Sequence, residues 1–231
     1  MKLAGHQPNY IPWPGYFVKM AQCDIFFILD TAQFQTGSSL DNRNLIKTSQ
    51  GTQMLTVPVK RKGMGLQRFN EVTVIPGWKR DHLMALKVNY VKAPHFKEVF
   101  PMMEQVLQDT GYLIDTNLAF IKLVHDLLGL KTKLVFLSDL PQFGELRKNE
   151  LIAAICSHFS ADSYLSGIGG RAYIKPEVFE KQGIKFEYLE YEPVVYPQLW
   201  GGFIPNLSIV DMLFNCGAQG TRKLLLKEVQ V

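Results

Sequence analysis

Residues 24–30 read DIFFILD, five apolar side chains in succession closed by Asp30. A strand buried on both faces needs such a run, and strands of that kind occur in parallel sheets covered by helices. A short apolar start at 2–5 precedes it. Between the two, Pro8, Pro12 and Pro14 forbid a helix interior until about Gly15, after which YFVKMAQ sets Tyr16, Phe17 and Met20 at core-facing helical spacing. Strand, proline-rich turn, helix and strand make a βαβ unit.

The remainder continues that alternation around a helical excursion. MLTVPVK (54–60) and NEVTVI (70–75) alternate as strands, and the basic, glycine-containing RKGMGLQR between them predicts a hairpin. Helical patterns follow near 79–91, 95–108 and 112–129. KLVFLSDL (133–140) and DSYLSG (162–167) are strand-like, NELIAAICSHF (149–159) is an amphipathic helix, and IKFEYLEYEP (184–193) alternates as a half-exposed strand. SIVDMLFNCG opens the last helix with Ser208 as N-cap. No repeat, low-complexity tract or linker divides the chain. Residues 1–231 are therefore expected to form a single α/β domain, a mostly parallel, Rossmann-like, doubly wound sheet with a helical insertion.

Composition narrows the partners. With 47% hydrophobic and 20% charged residues the chain can bury a core unaided, and a net charge of +4 tolerates an anionic small molecule without the concentrated basic face that duplex nucleic acid requires. Cys23, Cys156 and Cys216 lie far apart with no CxxC pair, so neither a disulfide framework nor a structural zinc site is expected. His82, His95, His125 and His158 show no metal-ligand spacing. No apolar run is long enough to span a bilayer, and His6, Gln7 and Asn9 interrupt any signal-peptide core, so a cytoplasmic location is expected.

Four polar clusters carry candidate chemistry. In an open α/β sheet, ligands bind outside the carboxyl ends of the strands. HQPNYIPWPGYF (6–17) falls at that end of the first strand, which makes His6, Gln7 and Asn9 candidate contacts and Tyr10, Trp13 and Tyr16 candidate walls. A structural histidine in a proline-shaped turn is the plainer reading. After the second strand come Asp30, Gln33, Asn42, Arg43, Asn44 and Lys47, where an arginine flanked by amides suits a carboxylate or phosphate. Alone, this stretch would read as a solvated polar loop.

YLSGIGGRAYI (164–174) offers Ser166, Gly167, Gly169, Gly170, Arg171 and Tyr173. Its backbone amides could cradle phosphate, although GxGG falls short of the dinucleotide fingerprint and a tight turn with permissive glycines explains it equally well. YPQLWGGFIPNLSIVDMLFNCG (196–217) contributes Gln198, Asn206, Ser208, Asp211 and Asn215. Asp211 and Asn215 share a helical face, and a carboxylate among Ile, Val, Met and Leu needs a partner. His6, Asp30 and Asp211 are the candidate catalytic groups.

Taken in order, HQPNYIPWPGYF, CDIFFILDTAQF, NRNLIK, LTVPV, YLSGIGGRAYI, YPQ and FIPNLSIVDMLFNCG make the sequence similar to the WbqC-like protein family over essentially its whole length. That family is bacterial and associated with O-antigen and other surface-polysaccharide gene sets. The resemblance implies an acyl or aminoacyl (glycyl-type) transferase forming an amide on a dTDP- or UDP-linked 4-amino-4,6-dideoxy sugar. On chemical grounds His6 would be the general base, and Arg43, Lys47 and Arg171 would hold pyrophosphate or the donor's anionic part. QTGSSLDNRN has no basic residue before Arg43, where the family pattern leads one to expect one.

A second resemblance concerns fold. Strand, histidine-containing loop, helix and a strand ending in DTAQF are similar to the nucleotide-binding, HUP-like α/β fold of pantothenate synthetase and related adenylating ligases, which implies an ATP-dependent ligase. The HxGH pair and a KMSKS-like lysine loop are absent. The donor is left open between ATP with a free amino acid, aminoacyl-tRNA and a thioester. A third reading is a non-catalytic sugar-nucleotide-binding factor.

Overall fold

A computed structural model describes residues 1–35, 39–109 and 111–227, so the part of the second polar cluster at 36–38 lies outside the described residues. Along the chain run β1 (Lys2–His6), α1 (Pro14–Ala21), β2 (Ile25–Ile28), β3 (Arg43–Thr48), β4 (Gly51–Thr56), α2 (Trp78–Tyr90), α3 (Phe96–Val106), α4 (Leu113–Leu127), β5 (Lys133–Phe136), α5 (Lys148–His158), β6 (Ser163–Ser166), α6 (Glu177–Glu180), β7 (Lys185–Tyr188) and α7 (Ile209–Leu226). They fall into two compact units. One is drawn from Met1–Gln7, Val18–Ala32 and Lys131–Glu192, the other from Pro8–Phe17, Gln33–Leu130 and the chain from Pro193 onward.

The first unit holds a five-stranded sheet in the order β5-β2-β1-β6-β7. Each of its strand pairings is parallel and helices flank it, a Rossmann-like arrangement. Successive strands β1, β2 and β5 spread one way. The chain then returns through α5 to lay β6 on the other side of β1, so the winding reverses between β1 and β6. Leu3, Phe27, Ile155 and Phe179 are fully buried in one apolar cluster, and the Tyr164 ring stacks on Phe179 at 5.6 Å. Each such ring contributes roughly 2 kcal/mol by leaving water. Gly5 pairs in register with Phe27, and a Cβ on residue 5 would lie 2.1 Å from the Phe27 ring, so only glycine lets β1 run there.

The second unit contains the antiparallel hairpin β3–β4 and helices α2, α3, α4 and α7. This corrects two expectations. NRNLIK is a strand and not a polar loop, pairing from Arg43 opposite Thr56 to Thr48 opposite Gly51. The segments 54–60 and 70–75 meet only through an isolated Val59–Val74 bridge, with Phe69–Glu71 in a 3-10 turn. The reason is that polar residues are buried on both faces of the strand, Asn44 on the face of Ile46 and Lys47 on the other, which hides the strand's alternation from a hydrophobicity reading. The strands expected at 133–140 and 184–193 are shorter, ending at Phe136 and Tyr188.

Ser208 caps α7 as expected, its hydroxyl accepting from the Val210 N–H at 3.3 Å. The helix breaks at Gly217 (φ 68°), where a Cβ would lie 2.6 Å from the His95 ring. Among the described residues no helix is long and apolar enough to cross a membrane.

Candidate functional site

In the first unit the carboxyl ends of β1 and β6 flank the place where the winding reverses, the usual ligand crevice of an open α/β sheet. His6 is the last residue of β1 and is half-buried. Its Nδ1 lies 3.0 Å from the Gln7 carbonyl oxygen. A carbonyl only accepts, so Nδ1 carries the proton and Nε2 is the basic nitrogen of the neutral ring. Asp30 follows β2, is buried, and accepts from the Ser138 backbone N–H at 2.9 Å.

Sequence reasoning missed Lys19. This residue of α1 is 3% exposed, and its Nζ donates to the Gly5 carbonyl oxygen at 2.7 Å. The ammonium lies 5.7 Å from the Phe26 ring centroid and 3.7 Å from the Cβ position that a side chain at Gly167 would occupy. Gly5 O is its single hydrogen-bond acceptor among the described residues, and no carboxylate there pairs with it. Burial pulls its pKa down to about 8, against a smaller upward influence of Cys23. Within YFVKMAQ a lysine reads as a solvent-reaching side chain, so no local signal marks it.

The glycines after β6 have specific reasons. None of Gly167, Gly169 and Gly170 has a positive φ, so backbone permissiveness does not account for them. Gly170 is required by close approach, since a Cβ there would lie 2.1 Å from the Ser166 hydroxyl oxygen, whereas Gly169 has open space. The Gly170 N–H donates to Gly167 O at 2.9 Å in a 3-10 turn over Ile168–Ala172. Ser166 is buried and donates to Gly167 O at 3.0 Å. Arg171 is exposed with its guanidinium 4.9 Å from the Tyr188 ring centroid, and Tyr173 is exposed too.

The second unit holds the other candidates, and most are internal. Tyr10 is fully buried and donates to His82 Nδ1 at 2.7 Å, because His82 Nε2 faces the Thr56 carbonyl at 3.2 Å and must donate there. Tyr16 is buried against Phe17, and Trp13 is half-buried with its ring 1.9 Å from where a Gly15 Cβ would stand. Asn44 donates to Ile11 O at 2.9 Å, Asn42 to Val57 O at 2.8 Å, and Arg43 Nε to Ser39 O at 3.2 Å. Gln33 is exposed and bridges Arg68; Asn206 is exposed at φ 57°.

Lys47 and Asp211 anchor one buried network. The Lys47 ammonium donates to Gln198 Oε1 at 3.0 Å and to the Gly201 and Gly202 carbonyls. Its backbone N–H donates to Tyr90 Oη at 2.9 Å, and that hydroxyl donates to Asp211 Oδ2 at 2.7 Å. Tyr196 Oη and Asn215 Nδ2 donate to Asp211 Oδ1 at 2.9 and 3.3 Å. Burial raises the Asp211 carboxyl above its usual range, opposed by these donors and by Lys47.

Three buried amide oxygens, Asn9 Oδ1, Asn70 Oδ1 and Asn117 Oδ1, have no hydrogen-bond partner among the described residues. Asn117 also went unnoticed in the sequence. Its Nδ2 joins Pro8 O (2.6 Å) to Asp41 O (2.8 Å), fixing the Asn9 backbone from one side. A cavity of about 390 Å³ lies elsewhere in this unit, lined by Gln33, Gln35, Gln67, Arg61 and Lys62 among others. Among the described residues no group of three or more His, Cys, Asp or Glu side chains could hold a metal ion. Burial pushes the Cys23 and Cys156 thiols up to about 12 and Cys216 to about 11, which makes them poor nucleophiles.

Comparison with known proteins assigns the lineage. The WbqC-like protein family matches residues 7–223, most of both units. A protein of Mycobacterium tuberculosis (strain ATCC 25618 / H37Rv), called uncharacterized protein Rv1507c, is 39% identical over 225 residues, covering 94% of this chain and 95% of the relative. No solved structure gives a significant match. With the family match running from the loop after β1 through the turn after β6 and the start of α7, the chain belongs to the WbqC-like protein family.

Proposed function

We propose that this protein is a cytoplasmic, amide-forming acyl or aminoacyl transferase acting on a nucleotide-linked 4-amino-4,6-dideoxy sugar in bacterial surface-polysaccharide biosynthesis, its whole length serving as one functional domain. The observation that carries this reading is His6 at the carboxyl end of β1, beside the winding reversal, with Nδ1 held by a carbonyl so that Nε2 is the base.

In the reaction the sugar amine attacks the donor's acyl carbonyl, a C–N bond forms, and the C–O or C–S bond to the leaving group breaks. Nε2 of His6 takes the proton that the amine loses and returns it to the leaving group. The turn from Gly167 to Arg171 presents backbone amides and a guanidinium suited to the anionic part of the nucleotide sugar. Asp30, buried and bonded to the Ser138 N–H, keeps a carboxylate at the end of the neighbouring strand.

The test is intact-mass measurement on dTDP- and UDP-linked 4-amino sugars incubated with the protein, glycine and ATP, or with glycyl-tRNA or a glycyl thioester. A product one glycyl unit heavier, lost about a hundredfold in His6→Ala, supports the transferase. Dependence on ATP would make it an adenylating ligase of the same pathway. Sugar-nucleotide binding without mass change under every donor would leave a non-catalytic binding factor and refute the transferase.

A further inference from the structure

A buried charge is retained in a fold when something of opposite sign completes it, because an isolated ammonium removed from water is strongly disfavoured. Lys19 is 3% exposed, yet within the described residues its ammonium meets one backbone carbonyl, the Phe26 ring and no carboxylate. Three N–H donors are available on that nitrogen, and the Gly5 carbonyl takes one. The position matters as much as the charge. Gly5 precedes the last residue of β1, and Gly167 immediately follows β6, so Nζ stands at the carboxyl ends of the two strands between which the winding reverses. Residue 167 has no side chain, and a Cβ there would rest 3.7 Å from Nζ.

We propose that Lys19 is the cationic anchor of the first unit's ligand crevice, and that it holds a phosphate group such as the diphosphate of a nucleotide-linked substrate, reached past Gly167. The assignment rests on the reading of this crevice as a nucleotide-sugar site. A lysine here acts as a point charge with several donors, which suits a phosphate oxygen cluster. The lowered pKa, about 8, still leaves the amine mostly charged at pH 7. The same burial explains why the group is poised for an anion: a second charge of opposite sign at this place relieves the first.

Isothermal titration with UDP, dTDP, inorganic pyrophosphate and uridine tests the proposal on the full chain. For the wild-type protein, a phosphate-bearing probe should bind and uridine should bind more weakly. Lys19→Met, which keeps length and apolar stem, should weaken the phosphate-bearing probe at least tenfold, leave uridine within twofold, and melt no lower than wild type because a buried charge is gone. Binding of UDP or dTDP by this variant within twofold of wild type would overturn the Lys19 assignment and leave the nucleotide reading standing. Failure of the wild type to bind any of these probes would overturn both.

Should Lys19→Met not fold, Gly167→Ala decides. Its backbone (φ −70°, ψ 160°) accepts alanine and its new methyl meets Nζ at ordinary contact distance, so the fold is kept while the approach narrows. Severalfold weaker binding of the phosphate-bearing probes alone is expected, and unchanged binding refutes the proposal.

Discussion

Replacing Asp211 by alanine should destabilise the protein by about 3 kcal/mol. The carboxylate is 0% exposed and receives hydrogen bonds from two buried tyrosine hydroxyls, Tyr90 at 2.7 Å and Tyr196 at 2.9 Å. Each hydroxyl left without its acceptor costs about 1–3 kcal/mol, and the loss of a desolvated charge offsets part of the sum. Urea denaturation read at constant slope gives the difference. A double-mutant cycle with Tyr90→Phe should show a coupling of about 1–2 kcal/mol, because that hydroxyl and the carboxylate share one bond.

The pH dependence has a definite sign. Since burial raises the folded-state carboxyl above its usual range, its contribution is greatest below the ordinary carboxylate pKa and is lost as pH rises through the folded value. Asp211→Asn should therefore gain on the wild type as pH rises from about 4, the ordinary carboxylate range, through the raised folded value. A loss below about 1 kcal/mol for Asp211→Ala, or strict additivity with Tyr90→Phe, would refute the network account. So would an Asp211→Asn variant of normal stability that forms no product, which would put the carboxylate in the reaction.

Lys47→Met should strip the Gly201 and Gly202 carbonyls of this donor, leave Gln198 Oε1 with the Ile204 N–H alone, and raise amide hydrogen exchange across 197–204 by at least tenfold, as read by mass spectrometry. Gly5→Ala should lower stability by about 1–3 kcal/mol or more, since its methyl falls on the Phe27 ring; thermal melting within a degree of wild type would contradict that packing. His82 is held neutral in the fold, its pKa pulled by burial from 6.5 down to about 4. Its contribution is complete above pH 6.5 and is lost as pH falls through about 4, a difference of about 3 kcal/mol at 1.36 kcal/mol per unit. His82→Gln should flatten the acid limb of the stability curve over that window.

The parallel sheet was legible because its strands are short apolar runs between helix patterns. DIFFILD became β2, and three prolines delayed α1 to Pro14. The hairpin β3–β4 was not legible. Its inward polar residues are satisfied by atoms remote in sequence, Lys47 by the carbonyls of Gly201 and Gly202 and Asn44 by that of Ile11, and no local pattern announces such partners. For the same reason the second polar cluster looked like a loop suited to anions, whereas Asn42, Asn44 and Lys47 spend their donors on backbone carbonyls. Asp211 was expected to have a partner, and the partners are two tyrosines that only the fold could name. Lys19 escaped because one lysine on an amphipathic helix looks solvated until the strand beside it is in place.

The two units are each assembled from three separated stretches of chain, which alternate from the amino end onward. That weave makes the protein indivisible as a gene product. A stop codon at any of the first four crossings removes strands or helices from both units at once, and one at the fifth strips α7 from the second while leaving its earlier stretches woven into the first, so neither unit can be obtained by trimming the coding sequence. Rejoining the stretches of one unit through new short connectors is the route to it, and tolerated insertions are to be sought at exposed turns such as Gly63–Gly65. A truncation of this chain therefore leaves at least one unit incomplete, and activity is to be mapped by point substitution.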